Sequence, residues 1–191
     1  MLKFISIAIT LCLAVPSLTA AAADCPSPQA IASAAPGALK GTTWAGCDYT
    51  KANLSSGLNL ENANLSQTIL VDANLSNANL NETLMQEANL TNATLVKTSF
   101  KESNLTYANL TGANLSSANL SHARLYGVYL RQANLKGANL SSADLTAADL
   151  SNADLTGANI DDANFEYAKL GGATWVTGDR VCKPGSMGEC N

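Results

Sequence analysis

Chemistry needs side chains that titrate, ligate or attack, and this chain spaces them sparingly. Its one histidine is His122, and its five cysteines include no Cys-x-x-Cys pair, so the donors of a zinc site do not occur as a set. Asp144, Asp149 and Asp154 fall five residues apart and are the candidates for acid-base work by paired carboxylates. Serines are plentiful, but a nucleophilic serine needs a base within hydrogen-bond reach, and no base-bearing cluster accompanies them. Triplets such as Asn64-Leu65-Ser66 and Asn104-Leu105-Thr106 match the glycosylation acceptor pattern. They arise wherever Ser or Thr follows a recurring Asn-Leu pair, so repetition accounts for them. These residues predict no catalytic, cofactor-binding or metal-binding site, and a protein that is not an enzyme.

What remains reactive is thiol chemistry, and its meaning depends on compartment. Met1-Leu2-Lys3 gives a short basic start, Phe4 to Val15 an apolar run, and Pro16 to Ala23 a small-residue stretch with Ala-x-Ala choices. That order predicts a secretory signal peptide over 1–23. The apolar run falls short of the ~20 residues of a spanning helix, so no stable membrane insertion is expected once the leader is cleaved. Cleavage removes Cys12 and Lys3, leaving 10 basic and 15 acidic residues, a net charge of −5 where the full chain has −4. Such a chain lacks the basic face that nucleic acid requires. Cys25, Cys47, Cys182 and Cys190 remain, and an even number in an exported chain predicts disulfides in one of three connectivities. The expected location is the periplasm, the exterior or an equivalent lumen.

Positioning falls to a repeat. Ala63-Asn64-Leu65, Ala73-Asn74-Leu75, Ala113-Asn114-Leu115 and Ala153-Asp154-Leu155 share one register, and a large apolar residue stands at every fifth position from Leu60 to Trp175. Earlier, Trp44, Tyr49 and Leu54 keep the step of five, and Leu60 follows after six, which predicts a bulge near Ser55 to Gly57. On a helix a step of five turns each Leu by about 140°, so no face forms. In a straight strand an odd period throws successive Leu residues onto opposite faces. The period works only if each pentad is a short extended piece followed by a bend, with Ala and Leu inward and the remaining residues outward. Ser, Thr, Asn and Gly at most bend positions agree with turn chemistry.

The pattern Ala-(Asn/Asp)-Leu-x-x resembles the pentapeptide-repeat family from Gly41 to Trp175. The resemblance implies an all-β fold, a right-handed quadrilateral β-helix with four pentads per coil, in which residues twenty apart stack. With ~4.8 Å between stacked strands the regular run makes a rod roughly 30 Å long. The expected organisation is a leader over 1–23, an N-terminal cap segment over 24–40, the β-helix over 41–177 and a C-terminal tail over 178–191. A short helix is expected near Gln29 to Ala34. Cys47 takes the small inward position of its pentad, so a bond to Cys25 would pin the cap. Cys182 and Cys190 flank Pro184-Gly185, which favours a local loop bond. These pairings are a preference among the three.

Stacking at twenty sets Asp144 over Arg124, and Asp149 between Tyr129 and Lys169, as expected cross-strand pairs. It gathers Glu61, Glu82, Glu102, Asp161 and Asp162 on one edge, interrupted by Lys101 and His122. The repeat is most degenerate from His122 to Arg131, where Tyr and Arg replace Asn and Ser, and Tyr107 should find room beside Gly127. Tyr107, Arg124, Tyr126, Tyr129 and Arg131 therefore form a candidate interaction patch, of residue types enriched at binding hot spots. The leading expectation is a structural or protein-interaction module with an unnamed protein partner. One alternative follows from relatives of this family that mimic DNA and bind topoisomerases. Another is binding of a polar ligand or carbohydrate. A homodimer through the C-terminal tail is compatible with the sequence.

Overall fold

The computed structural model describes residues 25–191 other than Pro36 and Ser56; the expected leader lies outside them. From Asn59 onward, every fifth residue pairs in parallel with the residue twenty further on, through Asn59↔Asn79, Asn64↔Leu84, Ile69↔Asn89 and Asn74↔Thr94 to Asp154↔Thr174. Four pentads therefore complete one coil. The paired residues define four faces. The first carries Asn59, Asn79, Ser99, Asn119, Asn139 and Asn159, and the second Asn64, Leu84, Asn104, Arg124, Asp144 and Asn164. The third carries Ile69, Asn89, Asn109, Tyr129, Asp149 and Lys169, and the fourth Asn74, Thr94, Asn114, Asn134, Asp154 and Thr174. The first coil holds the extra residue: Thr43, Asp48 and Asn53 pair 21 positions on, with Asn64, Ile69 and Asn74. The expected bulge between Leu54 and Leu60 is that insertion.

The interior is a stack of side chains at the Ala and Leu positions. Leu60 through Leu155 are almost all fully buried, with Met85 and Phe100 as larger members. Where Thr or Ser takes the Ala position, its hydroxyl donates to a carbonyl: Thr68 to Trp44, Thr83 to Leu80, Thr98 to Leu75 and Ser103 to Phe100. A buried hydroxyl would otherwise be costly, so these bonds are what makes the substitution tolerable.

Accounting for the backbone N–H groups of one pentad shows why its second residue is Asn or Asp. In Ala63 to Gln67, Ala63 donates across its turn to Leu60 O, Asn64 to Thr42 O, Leu65 to Leu84 O and Gln67 to Gln86 O. Four of five are satisfied by backbone. The fifth, Ser66 N–H, donates 3.0 Å to Asn64 Oδ1. The same side-chain bond recurs after Asn74, Asn89, Asn104, Asn119, Asn139 and Asp154. The Asn/Asp side chains are thus not simply outward. They fold onto their own corner and supply the one acceptor the ladder lacks.

The second residue of each corner sits at positive φ. Nineteen non-glycine residues there, including Lys51, Glu82, Tyr107 and Tyr167, have φ between 55° and 62°. Left-handed backbone costs a non-glycine residue roughly 1–2 kcal/mol. All of these N–H groups but those of Asp162 and Tyr167 in the last coil are held in the inter-coil ladder, as Tyr107 to Tyr126 O and His122 to Ser141 O, so the coil imposes the conformation on residues that do not favour it.

Both tails are tied to the rod. A helix, α1, spans Pro28–Ala32, shorter than expected and starting one residue earlier, because Ser27 accepts from Ala30 N–H as its N-cap and Pro28 opens the first turn. Ile31 is buried with the core, the Tyr49 hydroxyl donates to Pro26 O, and Cys25 is bonded to Cys47. At the other end the chain reverses, pairing antiparallel through Thr174↔Val181 and Lys169↔Met187, and Cys182 is bonded to Cys190. Both favoured pairings are formed. Among the described residues no helix is long and apolar enough to cross a membrane.

Candidate functional site

The conspicuous surface lies at the corner between the second and third faces. Its successive levels carry Ser66-Gln67, Gln86-Glu87, Thr106-Tyr107, Tyr126-Gly127, Thr146-Ala147 and Glu166-Tyr167. Among the described residues the exposed large hydrophobic side chains are Ile69, Leu84, Tyr107, Tyr126, Tyr129, Tyr167, Val181 and Met187. All except Val181 belong to this corner or the faces beside it, Met187 by pairing with Lys169. The other two faces present Asn, Thr, Ser and Asp.

Of the sequence-predicted patch, Tyr107 and Tyr126 pack edge to face with centroids 5.6 Å apart. The Tyr107 ring lies over Gly127, where an added Cβ would stand 2.6 Å from Cε1. Desolvation first, then Tyr126 and Tyr129 nearby, hold the Tyr107 phenol above its ordinary pKa. We expect Gly127→Ala to destabilise by about 1–2 kcal/mol, because it combines a left-handed φ with that clash. In a Tyr107→Ala background the clash is gone, so urea denaturation should show the double change costing less than the sum.

Arg124 and Tyr129 stand on adjacent faces and share a structural consequence. Each replaces the Asn/Asp whose Oδ1 would accept the next corner's N–H. The N–H groups of Tyr126 and Arg131 accordingly have no protein acceptor among the described residues. Leaving Asn here removes a bond, whereas at Ser99 a neighbour makes it good, with Lys101 N–H donating to Asn81 Oδ1. Ile69, Leu84 and Lys169 break the same rule on the same two faces. Restoring the rule gives a second prediction. Tyr129→Asn should raise stability by about 0.5–1.5 kcal/mol, read as a higher denaturation midpoint with unchanged slope.

The expected pairs across Arg124–Asp144 and Asp149–Lys169 stack but do not form ion pairs. Asp149 and Asp154 instead reach a cation on the corner eighteen residues back, Arg131 Nε at 2.7 Å and Lys136 Nζ at 3.0 Å. The reason is the Asx bond: each carboxylate turns one oxygen toward its own corner, as Asp149 Oδ1 does toward Ser151, and the other oxygen then faces that corner. Burial alone would raise the Asp149 pKa, but the Ser151 hydroxyl, Arg131 and the Ser151 N–H outweigh it and hold the carboxyl below its usual 3.8. A depressed folded pKa contributes stability above the unfolded value and loses it as pH falls through the folded one. Asp149→Asn should therefore flatten the fall in melting temperature below about pH 4.

Chemistry by triad has one geometric candidate, and it fails. Glu102, His122 and Ser142 occupy successive levels of the corner between the first and second faces, all exposed, with no hydrogen bond linking their side chains. Asp144, Asp149 and Asp154 lie on three different faces. Among the described residues no group of three metal-ligating side chains forms. The acidic edge does assemble as expected, with Glu82 and Glu102 at the same corner as Asp161 and Asp162, but Lys101, His122, Ser141 and Ser142 divide it.

A four-sided parallel coil with a five-residue period defines a β-helical repeat protein. The profile described as pentapeptide repeats matches 8 copies over residues 59–95, 84–121, 123–162 and 138–174. The chain belongs to the pentapeptide-repeat family, whose coil is a right-handed β-helix. No curated protein matches it in sequence. Among solved structures it is similar to HetL, a pentapeptide repeat protein involved in heterocyst differentiation regulation from the cyanobacterium Nostoc sp. Strain PCC 7120. Identity is 28% over 74% of this chain and 88% of that one, with a TM-score of 0.34. A pentapeptide repeat protein from the cyanobacterium Cyanothece 51142 is 25% identical over 63% and 85%, with a TM-score of 0.41. QnrB1, a plasmid-mediated fluoroquinolone resistance protein, is 19% identical over 70% and 72%, with a TM-score of 0.42. With these TM-scores below 0.5, the family assignment rests on the repeats.

Proposed function

We propose that this chain is an exported, non-enzymatic module that binds a protein partner along the corner between its second and third faces. The observation carrying this reading is the replacement of Asn by Arg124 and Tyr129, which gives up two corner hydrogen bonds while exposing Tyr107, Tyr126 and Tyr129. Natural proteins break their own local rules chiefly where function requires it. Tyr and Arg are also the side chains that dominate binding energy at interfaces. The leader-like start and the two disulfides support export, because such bonds persist in oxidising compartments. In this reading the segment over 24–40 covers the N-terminal edge of the coil, with Ile31 as its apolar plug.

A carbohydrate or polar ligand is the second reading, favoured by the exposed Tyr107 ring, which packs against Gly127. Topoisomerase binding has the divided acidic corner against it. A photo-crosslinking residue placed at Tyr126 should capture a discrete protein adduct from the exported fraction, and one placed at Asn139 should not. The adduct should vanish with Tyr107→Ala and Tyr129→Ala together. Equal labelling from both positions sinks the proposal, as does none from either. Intact mass of the natural product tests export: loss of the leader and four protected thiols are expected.

A further inference from the structure

The last coil ends unevenly. On the third face, Gly188 N–H donates to Ala168 O and Leu170 N–H to Ser186 O, both at 2.9 Å. On the fourth, Cys182 N–H donates to Ala173 O at 2.8 Å and Trp175 N–H to Arg180 O at 2.7 Å. The tail thus shows how an added strand seats on this edge, with one carbonyl and one N–H filled per face. On the first and second faces the equivalent groups are the carbonyls of Ala158 and Ala163 and the N–H groups of Ile160 and Phe165. None of these has a protein partner among the described residues, and neither do the corner N–H groups of Asp162 and Tyr167.

Beside this open edge runs a cleft of about 670 Å³, lined by Phe165, Tyr167, Met187 and Gly188 together with Glu166 and Glu189. Asp161 and Asp162 stand at the corner between the two open faces. None of these four carboxylates joins an ion pair among the described residues, and no basic side chain lines the cleft. We propose that this edge takes up an extended, basic segment of a partner protein as an added strand. Backbone groups would give the affinity, Phe165 and Met187 would hold an apolar side chain, and the carboxylates would select positive charge. The cleft takes in Glu166 and Tyr167, the last level of the tyrosine corner, but none of its lining is Tyr107, Tyr126 or Tyr129, on which the first proposal rests, so either proposal can fail alone.

The test titrates the oxidised, leaderless chain with an octapeptide alternating Lys and Val, read by amide resonances and hydrogen exchange. The amides of Ile160, Asp162, Phe165 and Tyr167 should shift and exchange at least about tenfold more slowly. N-methylating alternate peptide bonds of the octapeptide should weaken binding about tenfold or more, since backbone hydrogen bonds are lost while charge is kept. A Glu-Val octapeptide should not bind, and the combined Asp161→Asn, Asp162→Asn, Glu166→Gln and Glu189→Gln variant should bind the Lys-Val peptide more weakly with an unchanged melting temperature. Equal binding of the N-methylated peptide overturns the proposal. So do shifts confined to Tyr107, Tyr126 and Tyr129, or none at millimolar peptide. Protection of the same amides that grows with protein concentration alone would assign the edge to a second copy and overturn it too.

Discussion

Replacing Phe100 by Ala should lower stability by about 3–5 kcal/mol, with Trp44 the one larger side chain fully buried among the described residues. Phe100 is fully buried and is stacked between Leu80 and Leu120 on the inner side of the first face. The site cannot collapse easily, because Phe100 N–H is bonded to Asn119 O and Leu80 N–H to Ser99 O, which fix the coil spacing. The lost transfer energy is therefore joined by an unfilled cavity. Phe100→Leu should behave differently. Leu is what the column carries directly above and below, so the cost should stay under about 1.5 kcal/mol. Guanidinium denaturation of the two variants checks this. Equal midpoints would mean that the inner stack is loosely filled and that the ladder alone holds the coil.

The second large effect concerns the Cys25–Cys47 bond, which closes a separation of 22 residues. Loop-closure entropy for that length corresponds to about 3 kcal/mol. The clean variant is Cys25→Ala with Cys47→Ala, because Cys47 occupies a buried Ala position and Ala fits it without leaving a polar group inside. In a solenoid each coil touches only its neighbours, so the loss should stay local. Hydrogen exchange should quicken at Trp44, Tyr49 and Leu54, whose N–H groups bond to the next coil, and remain unchanged at Leu115 and Leu130. Uniform quickening along the rod would show that the coils unfold as one unit. The same exchange in Cys182, Cys190 to Ala should loosen the tail by about 2.5 kcal/mol, from a separation of 8.

Four pentads per coil came from the family resemblance, while the period of five excludes both regular structures and made a short extended piece followed by a bend legible for Ala63-Asn64-Leu65 and its copies. The extra residue before Leu60 was legible for the same reason: a strict count exposes a single slip. The role of Asn was not. Its side chain reads as a polar group facing water, and only the completed backbone account shows that it serves the N–H two residues on, as Asn64 does for Ser66. From that follows the misjudged pairing of Asp149. Stacking predicts Lys169, whereas the Asx bond turns its second oxygen to Arg131. The antiparallel return of the tail was illegible because residues after Trp175 have no period to count. The Tyr107–Gly127 contact could be read in advance, since it needs nothing beyond stacking at twenty.

The pairing interval has a consequence for how such a chain can change length. Inserting twenty residues between Leu80 and Leu115 would add a storey and leave every later residue on its original side. Inserting five between Leu110 and Leu115 would turn everything beyond the insertion by a quarter, carrying Tyr126 and Tyr129 away from Tyr107 and rotating the open C-terminal edge relative to the N-terminal segment. Lengths differing by whole storeys preserve the relation between the two ends, and lengths differing by single pentads make a differently addressed molecule from the same parts.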